Sequence, residues 1–346
     1  MPTWSDILNE LKSELEKGNA AAGDTVRRKY LAELAQYTHR NTILYATKWT
    51  QPAPDVPPEF VSITDEDTQG FMEVVYGLKG NSLDLIVHSP GGSAEATEAI
   101  VSYLRSKFSD IRVIIPQAAM SAATMLACSA DRIVMGKQSS IGPIDPQMIV
   151  VTQLGPKATP AQAILDQFDE AKRQCKDPKL LGAWVPILPQ YGPALLVECQ
   201  DALALSKQLV ERWLTKYMFK GKRSPAAKVA KVLSDHTYFK THARHINRDE
   251  ARAFGLTGID DLESDQKFQD LVLSVFHATM HSFNMSALVK IIENNNGRSF
   301  LKAFQVIVAS PFIPGQPVQT PTGLTPPPMQ PQSAPAAPGS DPSNSP

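Results

Sequence analysis

Two short, largely apolar segments constrain the fold of this chain more than any other feature. They are Leu83–His88 and Ile111–Pro116, and helical patterns follow them at 93–107 and 121–130. Such segments are typical of parallel strands covered on both faces. Strands that alternate with helices predict an α/β fold, and a further short strand is expected at 132–135.

Hydrophobic periodicity predicts mainly helices in the rest of the chain. Before the apolar segments, helices are expected at 5–17, about 24–37 and 65–76, with a β-branched and aromatic strand at 42–49. After them, we predict a mostly helical stretch at 160–219, an α/β element at 236–259 and a helix at 264–293. Twelve of the 28 prolines lie between 311 and 346, so a disordered tail is expected over 310–346.

Composition narrows the functional classes. The net charge is −1, so no basic field favours nucleic acid. Three cysteines without close pairing indicate reduced thiols and a cytoplasmic protein. We expect neither a signal peptide nor an integral membrane segment. Peripheral contact with a membrane remains open.

Two turns carry the residues most suited to catalysis. One is the Gly91-Gly92 pair that follows the strand at 83–88, and the other contains Ser121, which opens a helix. Glycine N–H groups are accessible because no Cβ covers them. A nucleophile beside N–H groups aimed at an oxyanion is what a hydrolase needs. Taken singly, Ser121 also suits a helix N-cap, and the glycines suit an ordinary turn.

A set of longer motifs gives these turns a family context. The motifs are Arg27-Arg-Lys-Tyr-Leu-Ala-Glu-Leu with Arg40–Tyr45, Asp84–Gly92, Ile115–Met125, Ile133–Gln147, Thr241-His242 with Arg248–Leu256, and Lys290–Asn294. In these motifs, which span roughly 27–300, the chain resembles the serine dehydrogenase proteinase family. That family lies within the Clp-protease-like and signal-peptide-peptidase-A-like serine peptidases of the ClpP/crotonase fold.

The resemblance implies a fold and part of a site. The implied fold is α/β, a ClpP/crotonase-like repeated β-β-α superhelix with a parallel sheet, plus a helical insertion and C-terminal helices. Ser121 would be the nucleophile, and the oxyanion hole would use N–H groups of Gly91, Gly92 and Ala122. The implied domains are an N-terminal helical segment at 1–40, a peptidase domain at 41–262 with its insertion at 160–219, a C-terminal helical segment at 263–309 and the tail.

The general base is less clear, because relatives use either a serine–histidine–aspartate triad or a serine–lysine dyad. Asp145 stands about 24 residues after the serine, where the Clp pattern has its histidine. His242 stands before Glu250-Ala251, where that pattern has its aspartate. We therefore predict a triad of Ser121, His242 and Asp145 with exchanged positions. The competing bases are His245, Lys137 and Lys172.

The predicted function is an ATP-independent serine-type endopeptidase that acts on peptides or unfolded proteins through an acyl-enzyme. The resemblance also implies a homo-oligomer. The alternatives are a crotonase-type acyl-CoA hydratase or isomerase, and a non-catalytic scaffold on the same fold. No cofactor is expected, and no metal site, because His277 and His281 have Ala278 where a His-Glu-x-x-His motif has glutamate. His88, beside the Gly-Gly turn, is expected to be structural.

Overall fold

The computed structural model describes residues 2–51, 56–152 and 155–305. The predicted tail at 310–346 lies outside these residues. The strands are β1 (Asn41–Thr47), β2 (Ser82–His88), β3 (Asp110–Ile115), β4 (Ala118–Ala119), β5 (Arg132–Met135), β6 (Ser140–Ile141), β7 (Gln147–Thr152), β8 (Gly155–Pro160), β9 (Ile246–Asn247), β10 (Ile259–Asp261), β11 (Leu288–Asn294) and β12 (Ser299–Ala303).

The helices begin with α1 at Trp4 and end with α13 at Met285. Two 3-10 turns, Leu188–Gln190 and Leu262–Ser264, complete the regular structure. The α-helices are α1 (Trp4–Glu16), α2 (Ala22–Thr38), α3 (Pro58–Val61), α4 (Glu66–Val75), α5 (Ala94–Lys107), α6 (Ala122–Cys128), α7 (Ala161–Gln174), α8 (Pro178–Trp184), α9 (Leu195–Lys216), α10 (Arg223–Leu233), α11 (His236–Phe239), α12 (Arg248–Ala253) and α13 (Gln266–Met285).

A seven-stranded sheet in the order β10-β5-β3-β2-β1-β11-β12 forms the centre of the fold. Its first five strands are parallel, and β11 and β12 continue it antiparallel. This confirms the predicted α/β class with a parallel-rich sheet. The predicted helix at 264–293 is wrong beyond Met285, because Leu288–Asn294 is a strand that pairs with β1. Periodicity alone does not distinguish a short apolar strand from a continuing buried helix.

Helices cover both faces of the sheet, and the alternation of side chains along each strand supplies both layers. In β2, Leu83, Leu85 and Val87 face a core shared with α4, α5, α6, α9 and α10. Ile86 faces the opposite core, which contains side chains from α2 and α13. Because both faces are covered, the carboxyl ends of the parallel strands are where the loops of a site can gather.

A second, three-stranded sheet brings distant loops to that edge. β4 pairs with β6 in parallel, and β6 pairs with β9 in antiparallel. Ser89 also forms a parallel bridge to Ala119 in β4. As a result, four segments lie close together. They are the Gly-Gly turn, the start of α6, the segment after β6 and the segment before β9.

The segment after this convergence forms an insertion. β7 and β8 make an antiparallel hairpin that leads into α7, α8 and α9, which confirms that 160–219 is mostly helical. Met148 and Val150 of the hairpin pack with Ile164 and Cys199 in a small separate core. Within the described residues, no single helix meets the length and hydropathy needed to cross a membrane. The helical segments Pro178–Gln190 and Leu195–Lys216 reach that length and hydropathy only when they are taken together, and the chain bends by 69° between them.

Candidate active site

Ser121 lies at the sharp turn between β4 and α6, with φ 52° and ψ −122°. A positive φ is uncommon for a residue with a Cβ. The other positive-φ residues at helix ends, His39, Ala194 and Lys240, have ψ values between −20° and 33°, near the left-handed helical region. Ser121 lies well outside that region. Backbone strain of this kind costs about 1–3 kcal/mol and concentrates at functional sites.

The side chain of Ser121 does not cap its helix. An ordinary serine cap has extended backbone and accepts an N–H from the first turn. Ser121 has neither feature, since its backbone is strained and its hydroxyl makes no cap hydrogen bond. Ser93 shows the ordinary arrangement at α5, with φ −68° and an acceptor bond from the N–H of Ala96. The hydroxyl of Ser121 is therefore not committed to helix capping.

The two glycines are required by close backbone contacts. A Cβ on Gly91 would lie 2.6 Å from the Met120 carbonyl oxygen and 2.7 Å from both the Ala122 nitrogen and the Ser121 Cβ. A Cβ on Gly92 would lie 2.3 Å from the carbonyl oxygen of Ile63. Both glycines also have positive φ, 96° and 154°. The Gly-Gly turn therefore lies directly against the serine turn.

The three predicted oxyanion donors differ in their hydrogen bonding. The N–H of Gly91 donates to Ser89 Oγ at 3.1 Å. The N–H groups of Gly92 and Ala122 have no acceptor among the described residues. Gly92 and Ala122 therefore have free donors, whereas Gly91 has to leave Ser89 before it can donate elsewhere.

A buried ion pair holds the segment against which the Gly-Gly turn packs. The Ile63 N–H donates to the Gly91 carbonyl at 2.7 Å, and the Ser93 N–H donates to the Ile63 carbonyl at 3.0 Å. The fully buried Lys290 donates to the neighbouring Ser62 carbonyl at 2.8 Å and to Asp67 Oδ1 at 2.5 Å. Burial lowers the pKa of Lys290, and Asp67 opposes that shift. β11, which sequence analysis took for a helix, thus supports the turn.

Asp145 and His242, two members of the predicted triad, are in contact, whereas no hydrogen bond joins Ser121 to His242 within the described residues. His242 Nδ1 lies 2.8 Å from Asp145 Oδ1, although the two residues are 97 positions apart. The carboxylate is almost fully buried, with 1% of its side chain exposed. Because Nδ1 of His242 faces the carboxylate, Nε2 is the nitrogen left for a substrate or nucleophile.

A third residue of this cluster was missed by sequence analysis. His236 Nδ1 lies 2.9 Å from Asp145 Oδ2, so one carboxylate contacts two imidazoles. His236 begins α11, just after the Asp235 cap, and nothing in its local sequence distinguishes it from a surface histidine.

His236 and His242 border one open cavity of about 640 Å³, whereas Asp145, Ser121 and the two glycines are not among its lining residues. Met120 and Pro90, the residues directly before Ser121 and Gly91, line it. On the other side it is lined by His236, His242 and His245. Its remaining lining residues are Trp49, Gln147, Lys157, Ala158, Thr159, Pro160, Ala163, Lys240, Thr241 and Ala243. The cavity is wide enough to hold peptide side chains next to the serine turn.

The competing bases have other surroundings. His245 lines the cavity, but its Nδ1 lies 2.7 Å from Ser140 Oγ. Lys137 is exposed, and its backbone N–H donates to Glu263. Lys172 pairs with Asp169 on an exposed helical face. Neither lysine lines the cavity.

The remaining singled-out histidines have structural surroundings. His281 Nε2 lies 3.0 Å from the Trp4 carbonyl oxygen, and its ring packs on the Trp4 indole. His277 contacts Trp4 edge-on, and in the described part of the chain no group of three or more His, Cys, Asp or Glu side chains is arranged to hold a metal ion. His88 is fully buried between Trp49 and Phe276, and burial lowers its pKa to about 3.

The parallel-rich sheet covered by helices on both faces places the chain in the α/β class. Residues 57–185 match the family model described as a ClpP-like SDH-type serine proteinase, which confirms the resemblance. The match includes the Gly-Gly turn, Ser121 and Asp145, whereas His236 and His242 lie beyond it.

Two curated proteins of Methanocaldococcus jannaschii are also similar. The uncharacterized protein MJ0137 is 37% identical over 92 residues, which cover 26% of this chain and 32% of that protein. The uncharacterized protein MJ1495 is 33% identical over 125 residues, which cover 36% of this chain and 40% of that protein. The matched stretches thus span about a third and two fifths of these relatives.

Proposed function

We propose that the chain is a serine-type endopeptidase that hydrolyses peptide bonds through an acyl-enzyme, with Ser121 as the nucleophile. The observation that carries this proposal is the strained backbone of Ser121. A sharp, strained strand-to-helix turn projects a serine hydroxyl and leaves the N–H groups of the following helix free. The match of 57–185 to a serine proteinase family supports the same chemistry.

The roles proposed for the other residues combine the contact between Asp145 and His242 with the chemistry of the matched serine proteinase family. Asp145 holds the Nδ1 proton of His242, so Nε2 can accept the Ser121 proton as Oγ attacks the peptide carbonyl carbon. The oxyanion of the tetrahedral intermediate would accept hydrogen bonds from Ala122 and Gly92. The protonated His242 then gives its proton to the leaving amine. Water attacks the remaining ester with His242 again as base, which frees the serine.

The proposed substrates are short peptides or unfolded segments, degraded in the cytoplasm without ATP. The open cavity lined by Met120, which precedes Ser121 in the chain, suits the entry of an extended chain. Its apolar lining from Trp49, Met120 and Pro90 suits an apolar substrate side chain.

A fluorophosphonate probe tests the proposal, because an activated serine displaces its fluoride and becomes phosphonylated. We expect one adduct per chain, located on Ser121 by peptide mass spectrometry, and turnover of casein that Ser121→Ala abolishes. A crotonase-type acyl-CoA hydratase would carry out its reaction without labelling. Equal casein turnover by the wild type and Ser121→Ala would remove Ser121 from the mechanism.

A further inference from the structure

The Asp145 carboxylate has two imidazole partners, and the proposed mechanism uses one of them. Oδ1 faces His242 at 2.8 Å and Oδ2 faces His236 at 2.9 Å. Gln147 Nε2 lies farther from Oδ2, at 3.3 Å. A buried carboxylate requires hydrogen bonds to both oxygens, because an unsatisfied charge is costly in a site with little water. His236 supplies the short contact on the second oxygen.

We propose that His236 is a positioning residue that orients Asp145 and, through it, His242. This inference rests on the proposed function. With a donor on each side, the carboxylate cannot rotate about its Cβ–Cγ bond without losing a short hydrogen bond. Its Oδ1 is thereby held toward the Nδ1 of His242. At metal centres, residues orient the metal ligands in the same way, and substitution of such a residue lowers activity by about 10- to 100-fold.

The two histidines differ in ways that separate their roles. His236 has 15% of its side chain exposed, whereas His242 has 25% exposed. His236 is held by a regular element, since α11 begins with it and the Asp235 side chain accepts the N–H of Tyr238. The N–H of Ile144, beside Asp145, donates to the Leu233 carbonyl at the end of α10, which ties the two segments together. His236 and Asp145 therefore belong to one supported unit, and the proposed mechanism assigns the base to the more exposed His242.

Three substitutions at His236 isolate the hydrogen bond. His236→Asn keeps an amide N–H at the position of Nδ1, so it preserves the donor without an imidazole. His236→Leu removes the donor at similar volume. His236→Gln moves the amide to the position of Nε2 and serves as a polar variant if the leucine variant does not fold. His242→Asn is the matched control, because it keeps a donor toward Asp145 but removes the base.

The experiment measures kcat and KM on an unstructured fluorogenic peptide and the rate of fluorophosphonate labelling of Ser121. We expect His236→Asn to retain activity within about threefold, and His236→Leu and His236→Gln to lose about 10- to 100-fold in kcat with little change in KM. We expect His242→Asn to lose about 10³-fold or more.

Several outcomes would overturn the inference. Full activity of His236→Leu would show that Asp145 needs no second partner. An inactive His236→Asn beside an active His242→Asn would make His236 the base. A rise in KM alone would assign His236 to substrate binding. These results differ from failure of the proposed function, in which the wild type itself would neither label nor cleave.

Discussion

Substitution of Gly91 by alanine tests whether the Gly-Gly turn and the serine turn form one site. The added Cβ would lie 2.6 Å from the Met120 carbonyl oxygen and 2.7 Å from the Ala122 nitrogen and the Ser121 Cβ. All three atoms belong to the turn that carries the nucleophile. The Gly91→Ala substitution must therefore shift either the turn that contains Ser121 or the Gly-Gly turn itself.

Gly77→Ala is the matched control. Gly77 has a similar φ of 80°, but nothing lies within 4 Å of its added Cβ. Both variants carry the strain of a left-handed L-residue, about 1–2 kcal/mol. Only Gly91→Ala adds overpacking, which typically costs about 1–3 kcal/mol more. Its free energy of unfolding should therefore fall below that of Gly77→Ala by about that amount.

The activity difference should be larger than the stability difference. Movement of the Ala122 N–H by even a few tenths of an ångström weakens its bond to the oxyanion, and loss of one such donor costs about 10²- to 10³-fold in rate. We expect Gly91→Ala to label with fluorophosphonate at least 10²-fold more slowly than Gly77→Ala. Urea denaturation followed by circular dichroism gives the stabilities. If both variants were folded and labelled at the same rate, the two turns would not form one catalytic unit.

Three further predictions concern groups outside this contact. Burial lowers the pKa of His88 to about 3 from 6.5, so as the pH falls below about 6.5 the unfolded chain takes up a proton that the folded chain does not. The free energy of unfolding should therefore drop by about 2 kcal/mol more between pH 7 and pH 5 in the wild type than in His88→Gln, measured by urea denaturation; parallel pH profiles would contradict the assignment. Lys137→Ala and Lys172→Ala should keep the rate of Ser121 labelling within about twofold, because both side chains are exposed and neither lines the cavity. If either variant lost labelling, that lysine and not His242 would be the general base. Light scattering should give a mass of several chains, since we propose an oligomer whose interface includes the insertion at 160–219, and a monomer at physiological concentration would refute this.

Much of the fold followed from the chain's local patterns. The strands β1, β2, β3 and β5 and the helices α2, α4 and α5 lie close to their predicted bounds. The error at β11 has a physical origin. From Val289 to Asn294 every residue is buried, including a lysine and a glutamate, so the segment lacks the alternation that identifies a half-exposed strand.

The local sequence was also sufficient to single out the turns of the candidate site. Gly91 and Gly92 have positive φ and leave no room for a Cβ. Ser121, between β4 and α6, has a strained backbone with positive φ. The positive φ of the two glycines is a local requirement that their residue type indicates, whereas the atoms that exclude a Cβ belong to Ile63 and Met120–Ala122, which are distant in the chain.

The sequence by itself therefore determined the α/β alternation and the Gly-Gly turn, because local hydrophobic patterns and backbone requirements decide them, and the resemblance to a family indicated Ser121 as the candidate nucleophile. Tertiary structure decided which groups surround Asp145. His236 and His242 lie 91 and 97 positions away, and they reach the carboxylate because the end of α10 contacts the segment that follows β6 and β9 pairs with β6. The strand that completes the sheet beside β1 was decided in the same way. Long-range contacts of this kind depend on the packing of whole elements. The resemblance to a family indicated the pairing of Asp145 with His242, but no local pattern indicated the contact of His236.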